Sequence, residues 1–240
     1  MSRVLLIETS GRAAHVAIAA DGAIVGSRIL SEARRHARDL APAVAEMLRS
    51  AGWQPAQVSH VVVGLGPGSY TGLRVGIMSA KAFSYATRAA LIGVPTFETL
   101  AALALTEVEN VMVIADAQQN RVYHQCFGRP PEQDRPIELS PLRVLTFDEL
   151  CTGSWPARAI TGPGLRKVGG ALPAAFRPMP SNLWEPHLET LLRLGLAQSA
   201  LGRVDDPYQL APIYLRPSAA EEQWKRGDVQ PPVDGARAGQ

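Results

Sequence analysis

Apolar positions in the first part of the chain fall into short continuous runs and longer periodic stretches, the pattern of strands followed by helices. Short aliphatic runs predict strands at Val4–Ile7, His15–Ala20 and Ile24–Leu30. The last two are separated only by Asp21-Gly22, a hairpin turn sequence. Because a two-residue connection joins antiparallel strands, the chain is predicted to open with an antiparallel strand–hairpin–strand unit.

Longer periodic stretches predict three helices in this first block. The first, about Ala37–Ala51, carries an apolar stripe at helical spacing and ends at Gly52. After a strand at Val58–Gly64, a second helix is predicted over about Leu73–Ala90 and a third over about Phe97–Leu105. The second helix repeats small residues every four positions, which would let another helix approach closely; they are Gly72, Gly76, Ala80 and Ser84.

A second block begins with another pair of strands. Val111–Ile114 and Val122–Phe127 are predicted strands joined by a polar turn at Asp116–Asn120, and a helix is predicted at His187–Ser199. Strands therefore open each block and helices close it, which predicts an α+β or α/β protein of two lobes. We expect lobes at residues 1–105 and 106–215, with the last helix a candidate to return to the first lobe. Residues 216–240 are charged, rich in proline and poor in apolar residues, so we expect this tail to be disordered.

Composition excludes several classes of protein. The net charge is only +2 over 240 residues, so no strong field points to nucleic acid. Cys126 and Cys151 form no CxxC pair, and no two of the five histidines stand at i, i+4, so no metal site is predicted. Met1–Glu8 is too short and too soon charged for a signal peptide, and no apolar run reaches the roughly 18 residues of a membrane span. We therefore expect a cytoplasmic protein.

The most informative segment is Val61–Gly76, in which an apolar run enters a turn with three glycines and one proline. It lacks the Gly-Lys-Ser/Thr of a Walker A loop, the spacing of GxGxxG, and the first glycine of a GxSxG elbow around Ser69. Its geometry fits a phosphate cradle and a tight packing corner equally well. Glu8 and Asp116 each follow a buried strand, where either turn chemistry or a functional carboxylate is expected.

The wording of this loop carries a family resemblance. GPGSYTGLRVG (Gly66–Gly76), read with LLIETS (Leu5–Ser10), resembles the bacterial TsaB family, also called YeaZ. GVPTFETLA, IADAQQNRVY and PIYLRPSAA agree in order and spacing, so the resemblance covers about residues 3–220. It implies the two-lobed fold of actin, sugar kinases and Hsp70 ATPases. It also implies the partner subunit of the complex that transfers threonylcarbamoyl from threonylcarbamoyl-AMP to N6 of adenosine 37 in tRNAs reading ANN codons.

Departures from the catalytic paralogue, TsaD, imply a chain that is not catalytic alone. TsaD binds a metal through two histidines near the start of its third helix, and this chain has none there. The phosphate segments of the fold are altered too, since Glu replaces Asp at position 8 and no glycine stands at position 118. The resemblance thus implies no cofactor in this chain, with ATP and a metal in the partner subunits. Any residual nucleotide site would comprise Thr9, Ser10, Gly66, Gly68 and Asp116.

The resemblance also implies partners. They are a TsaD-like paralogue, a TsaE-like ATPase, tRNA through the complex, and a second copy of the chain when it is alone. The expected interface lies on the first two helices, with contact residues Leu40, Val44, Met47, Leu48, Leu73, Gly76, Ile77 and Ala80; the same stripe could instead pack on the chain's own sheet. The rival interpretation is a stand-alone enzyme of the actin fold, either a sugar-kinase-like phosphotransferase or a glycoprotease-like hydrolase.

Overall fold

The computed structural model describes residues 2–30, 36–129 and 135–215. The predicted disorder of residues 216–240 lies outside this range. The first five strands form one sheet in the order β3-β2-β1-β4-β5. Their bounds are Arg3–Glu8 for β1, Ala14–Ala20 for β2, Ala23–Leu30 for β3, His60–Gly64 for β4 and Ala90–Val94 for β5. β1 pairs antiparallel with β2 and parallel with β4, so the sheet is mixed.

Three helices accompany this sheet: α1 at His36–Ser50, α2 at Tyr70–Thr87 and α3 at Thr96–Ala104. α2 begins and ends three residues earlier than predicted. Ser69 caps its start, since the Ser69 side chain accepts a hydrogen bond from the Gly72 N–H at 3.2 Å. Arg88 ends it in a left-handed conformation with φ of 61°. The prediction missed β5 because its short aliphatic run follows the helix after a break of only two residues.

The second sheet contains six strands in the order β11-β10-β6-β7-β8, with β9 also paired to β7. The strands are β6 (Asn110–Asp116), β7 (Arg121–Gly128), β8 (Ile137–Glu138), β9 (Arg143–Thr146), β10 (Ala159–Thr161) and β11 (Arg177–Pro178). Helices α4 (Phe147–Thr152) and α5 (Leu165–Val168) connect them. β6 pairs antiparallel with β7 and parallel with β10, which repeats the plan of β1 with β2 and β4. The two lobes therefore share one topology.

The last helix, α6 (Leu188–Ala200), packs on the first sheet and not on the second. Its buried leucines join β1 and β4 side chains in one apolar cluster. Gly195 lies so close to Val62 that a Cβ would overlap that side chain. α1 and α2 cover the opposite face of this sheet. α3 bridges the lobes, since Phe97 and Leu100 pack in the second-lobe core and Ala102 packs with α6 on the first sheet. Within the described residues, no helix is both long enough and apolar enough to cross a membrane.

Candidate functional site

A cleft of about 1090 Å³ lies between the two lobes. The first lobe contributes Ser10, Gly68 and the start of α2, and the second contributes the β6–β7 hairpin and the start of α5. The cleft forms where β1 and β6 end, because the chain leaves each strand by a turn that faces the other lobe. Of the five residues of the predicted nucleotide site, Ser10, Gly68 and Asp116 line this cleft, whereas Thr9 and Gly66 lie buried behind it.

Glu8, at the end of β1, does not face the cleft. It is fully buried; one carboxylate oxygen accepts the Ser10 N–H at 2.7 Å and the other accepts the Thr96 hydroxyl at 3.2 Å. The Thr96 hydroxyl oxygen in turn accepts the Gly66 N–H at 3.1 Å. Burial raises the pKa of the Glu8 carboxyl, and these hydrogen bonds only partly oppose that effect. Glu8 thus links β1, the glycine loop (Gly66–Gly76) and the start of α3 through hydrogen bonds. Its carboxylate is therefore not available to a ligand in the cleft.

The glycine loop serves the same packing corner. The Ser69 N–H donates to the Ser10 carbonyl at 2.8 Å, so the loop lies directly on the turn after β1. A Cβ on Gly68 would overlap the Ser10 carbonyl oxygen, and one on Gly72 or Gly76 would overlap the Thr9 backbone or side chain. The glycines are explained by contacts inside the chain, so the packing-corner alternative accounts for their spacing without a ligand.

Asp116, at the end of β6, lies in the cleft with a different environment. One carboxylate oxygen accepts the Gln118 N–H at 2.8 Å and pairs with Lys167 Nζ at 3.0 Å. The turn that follows holds three successive residues in the left-handed region, Gln118, Gln119 and Asn120, with φ of 61°, 50° and 57°. Such angles cost non-glycine residues about 1 kcal/mol or more each. The carboxylate of Asp116, in the second phosphate segment, therefore stays exposed beside a strained turn.

Cations exceed carboxylates along the cleft. Four cationic side chains line it, against two carboxylates; they are Arg12, Arg74, Arg166 and Lys167, against Asp116 and Glu185. Arg166 pairs with Glu185 at 2.9 Å, as Lys167 does with Asp116. Chemically the cleft suits an anionic group more than a cation. In residues 2–30, 36–129 and 135–215, no group of three or more His, Cys, Asp or Glu side chains stands close enough to hold a metal ion.

Sequence reasoning missed an aromatic cluster at the mouth of this cleft. The Tyr70 and Tyr214 rings lie 4.8 Å apart between centroids, and the Arg74 guanidinium stands 4.2 Å above the Tyr70 ring. Arg74 Nε also donates to the Tyr214 hydroxyl at 3.2 Å. Tyr214 follows Tyr70 by more than a hundred residues, so no local pattern could have joined them.

A serine–histidine pair was missed as well. The Ser59 hydroxyl donates to the Arg3 carbonyl at 2.9 Å and lies 2.8 Å from His60 Nδ1, so His60 Nδ1–H donates to it. His60 Nε2 then accepts from the Ser199 hydroxyl at 3.0 Å. Ser199 stands in the last turn of α6, where the helix dipole disfavours a developing oxyanion. The pair also lies at the start of β4, away from the cleft, so it fastens α6 to the sheet and lends no support to the hydrolase alternative.

The eight predicted partner-contact residues are all buried within the chain, which fits the alternative that the stripe packs on the chain's own sheet. Seven of them share one apolar cluster beneath α1 and α2, and Gly76 is buried beside it; the seven are Leu40, Val44, Met47, Leu48, Leu73, Ile77 and Ala80. An apolar stripe on an amphipathic helix packs first on the sheet of the same chain, because that burial forms during folding and removes the most apolar area from water. A partner on these helices would instead contact their exposed sides, including Arg74, Met78 and Tyr85 on α2.

Two mixed sheets of the same topology, facing each other across a cleft, define the class of two-lobed proteins with the actin-like fold. The family model for TsaD, tRNA N6-adenosine threonylcarbamoyltransferase, matches residues 24–129. The chain is 31% identical over 224 residues to an uncharacterised protein of Mycobacterium tuberculosis, covering 90% of this chain and 92% of the relative. It is 27% identical over 235 residues to the tRNA threonylcarbamoyladenosine biosynthesis protein TsaB of Escherichia coli, covering 93% and 97%.

TsaB of Haemophilus influenzae is 26% identical over 230 residues, covering 93% of this chain and 96% of that one. Among solved structures, YeaZ from Pseudomonas aeruginosa superimposes with a TM-score of 0.74 at 29% identity, covering 90% of this chain and all of that one. The chain belongs to the TsaB (YeaZ) family, and the resemblance found in its loop is confirmed.

Proposed function

We propose that this chain is the non-catalytic partner subunit of the complex that transfers threonylcarbamoyl to N6 of adenosine 37 in tRNAs reading ANN codons. The observation that carries the proposal is end-to-end similarity to two proteins named for threonylcarbamoyladenosine biosynthesis, each covered over more than nine-tenths of its length. The TsaD match over residues 24–129 supports a paralogous partner, because it shows that this chain and the TsaD family share a structural unit.

The site geometry supports a structural role for this subunit. Glu8 occupies the position of the first phosphate segment but is buried and hydrogen-bonded within the chain. Nucleotide and metal chemistry would then take place in a TsaD-like paralogue and a TsaE-like ATPase, with tRNA bound through the assembly. This chain would pair with itself when the paralogue is absent, and the complex would work in the cytoplasm with its tRNA substrates.

Reconstitution tests the proposal directly. The purified chain is mixed with the TsaD-like and TsaE-like proteins, unmodified tRNA reading ANN codons, ATP and threonylcarbamoyl-AMP, and modified adenosine is measured by mass spectrometry after nuclease digestion. We expect modified adenosine only when this chain is present. Equal product without the chain would overturn the proposal. Product formed by this chain alone would contradict its assignment as the non-catalytic subunit.

A further inference from the structure

The cleft between the lobes keeps its preference for anions although its glycine loop is used for packing. The Ser69 N–H donates to the Ser10 carbonyl, and the Gly72 N–H donates to the Ser69 hydroxyl. These two N–H groups are therefore not available to bind a phosphate. The excess of cationic over acidic groups comes instead from long side chains, which line the cleft from both lobes; they are Arg12, Arg74, Arg166 and Lys167.

These four cations stand on three different elements: the turn after β1, α2 and α5. The side chains of Arg166 and Lys167 are each half exposed, and their carboxylate partners are partly exposed. Exposed ion pairs contribute little to stability, so a phosphate can replace either carboxylate at small cost. Cations carried by several elements suit an extended polyanion better than one compact anion, because each can meet a different phosphate.

Aromatic rings line the same cleft. Three of the chain's five tyrosines do so, together with one phenylalanine; they are Tyr70, Tyr123, Tyr214 and Phe97. Tyr214 stacks on Tyr70 and is still 41% exposed, so part of its ring is open to a further planar group. The Arg74 guanidinium lies over the Tyr70 ring in the same cluster. Tyrosine rings and arginine planes are the surfaces on which unpaired nucleobases stack.

The turn between β6 and β7 adds two amide groups to the cleft. Gln118 and Gln119 are exposed, line the cleft, and have left-handed φ of 61° and 50°. Glycine would adopt these angles without strain, and strain that is retained concentrates at functional sites. A carboxamide offers both a donor and an acceptor, which match the hydrogen-bonding edges of a nucleobase. The cleft thus combines groups that bind phosphates, stack on bases and hydrogen-bond to bases.

We infer that the cleft binds a single-stranded segment of RNA. The phosphates pair with the cationic side chains, a base stacks on Tyr214, and Gln118 and Gln119 hydrogen-bond to base edges. An acidic peptide would use the cations and leave the rings and amides without a role. The net charge of +2 gives little long-range attraction, so we expect weak binding that depends on salt. The identity of this RNA as a tRNA loop rests on the proposed function, whereas the RNA contact itself does not.

Fluorescence anisotropy with the full chain tests this inference. The probe is a labelled RNA stem-loop whose unpaired loop contains the target adenosine, and the comparison is the same strand annealed to its complement. We expect the stem-loop to bind and the duplex to bind much more weakly, because only unpaired bases can stack in the cleft. The assay contains this chain alone, so its result is independent of the reconstitution that tests the proposed function.

Three variants locate the contact. Tyr214→Leu removes the stacking ring, and we expect about tenfold weaker RNA binding. Lys167→Ala should reduce the slope of log affinity against log salt by about 0.7. Gln119→Gly removes an amide but suits the left-handed turn, so we expect weaker binding with an unchanged or higher thermal melt. Tyr208→Leu and Arg203→Ala, at exposed residues outside the cleft lining, are the matched controls for ring and charge.

Equal binding of stem-loop and duplex, or binding of neither, would overturn the inference. Unchanged affinity in both Tyr214→Leu and Gln119→Gly would overturn it too, as would losses in the two controls as large as those in the cleft variants. Displacement of the RNA by an equal concentration of ATP or of a polyglutamate peptide would assign the cleft to a different ligand. A failed reconstitution with intact RNA binding would overturn the proposed function and leave the RNA site in place.

Discussion

The ends of β1 and β6 occupy equivalent positions in two lobes of the same topology, yet their carboxylates have opposite environments. Glu8 is buried and accepts hydrogen bonds from Ser10 and Thr96. Asp116 is exposed and pairs with Lys167 across the cleft wall. The extra methylene of glutamate lets the Glu8 carboxylate reach the start of α3, where it fastens the glycine loop. Equivalent positions in the two lobes therefore have different roles. Glu8 links segments inside the first lobe, and Asp116 lies at the surface of the second.

The largest loss of stability is expected for substitutions of glycine in the loops that cross the ends of β1 and β6. Gly68→Ala places a Cβ on the Ser10 carbonyl oxygen, a backbone atom that cannot move aside cheaply. We expect a loss of about 4 kcal/mol in the free energy of unfolding, measured by urea denaturation. Gly164→Ala in the second lobe meets Ile114 atoms only at 3.1 Å and should cost about 1 kcal/mol. Equal losses at Gly68 and Gly164 would contradict the difference between these two contacts; Gly162, where a Cβ would overlap the Ile114 carbonyl oxygen, is a second-lobe position as tight as Gly68.

Removal of the buried fastener is expected to come next. Glu8→Ala strands the Ser10 N–H and the Thr96 hydroxyl and leaves a cavity, so we expect about 3 kcal/mol of destabilisation. Glu8→Gln keeps the shape and one acceptor and should cost about 1 kcal/mol. Asp116→Asn provides the matched change in the second lobe. Urea melts in which Asp116→Asn is more damaging than Glu8→Gln would reverse the assignment of roles.

Opposite pH dependences should distinguish the two lobes. Burial lowers the pKa of His124 on β7 to about 4, and its Nδ1 has no hydrogen-bond partner among the described residues. A lowered histidine pKa means that stability is present above pH 6.5 and is lost as the pH falls toward 4. At pH 5 we expect the free energy of unfolding to be about 2 kcal/mol lower than at neutral pH. His124→Phe should abolish this loss, measured by urea denaturation.

The raised pKa of Glu8 has the opposite sign. Its ionised form is disfavoured in the folded state, so its contribution is most favourable below pH 4.5 and declines as the pH rises through the raised value. Subtracting the pH profile of Glu8→Gln from that of wild type isolates this contribution. A difference profile that rises with pH would show that the hydrogen bonds outweigh burial.

The smallest effect is expected at the exposed pair. Lys167→Ala breaks the bond to Asp116, but both side chains are about half exposed, so we expect about 0.5 kcal/mol or less. Added salt should reduce even this difference, because exposed pairs are screened. A loss above 2 kcal/mol in urea would show that the Asp116 segment is a second fastener and that the lobes are alike.

Local patterns identified the elements whose signal lies within one stretch of chain. The strands β1, β2, β6 and β7 and the helices α1 and α6 were predicted within one or two residues, because each has a continuous apolar run or a clear stripe. β8 and β11 escaped because each has only two residues, too few to show a period. The stripe on α1 was identified correctly, but its spacing does not show what the stripe packs against, so both a partner and the chain's own sheet were left open; the stripe residues are buried in the core of the first lobe.

The residues of the loop at Gly66–Gly76 were enough to predict the family and the two-lobed class. Such wording is local, and steric demands at a tight corner leave few residue choices. The folded arrangement was needed to show that Glu8 links buried segments, that Asp116 faces the cleft, and that Tyr214 meets Tyr70. These depend on contacts between segments far apart in the chain, since burial and pairing are set by what packs against a residue and not by its neighbours in sequence.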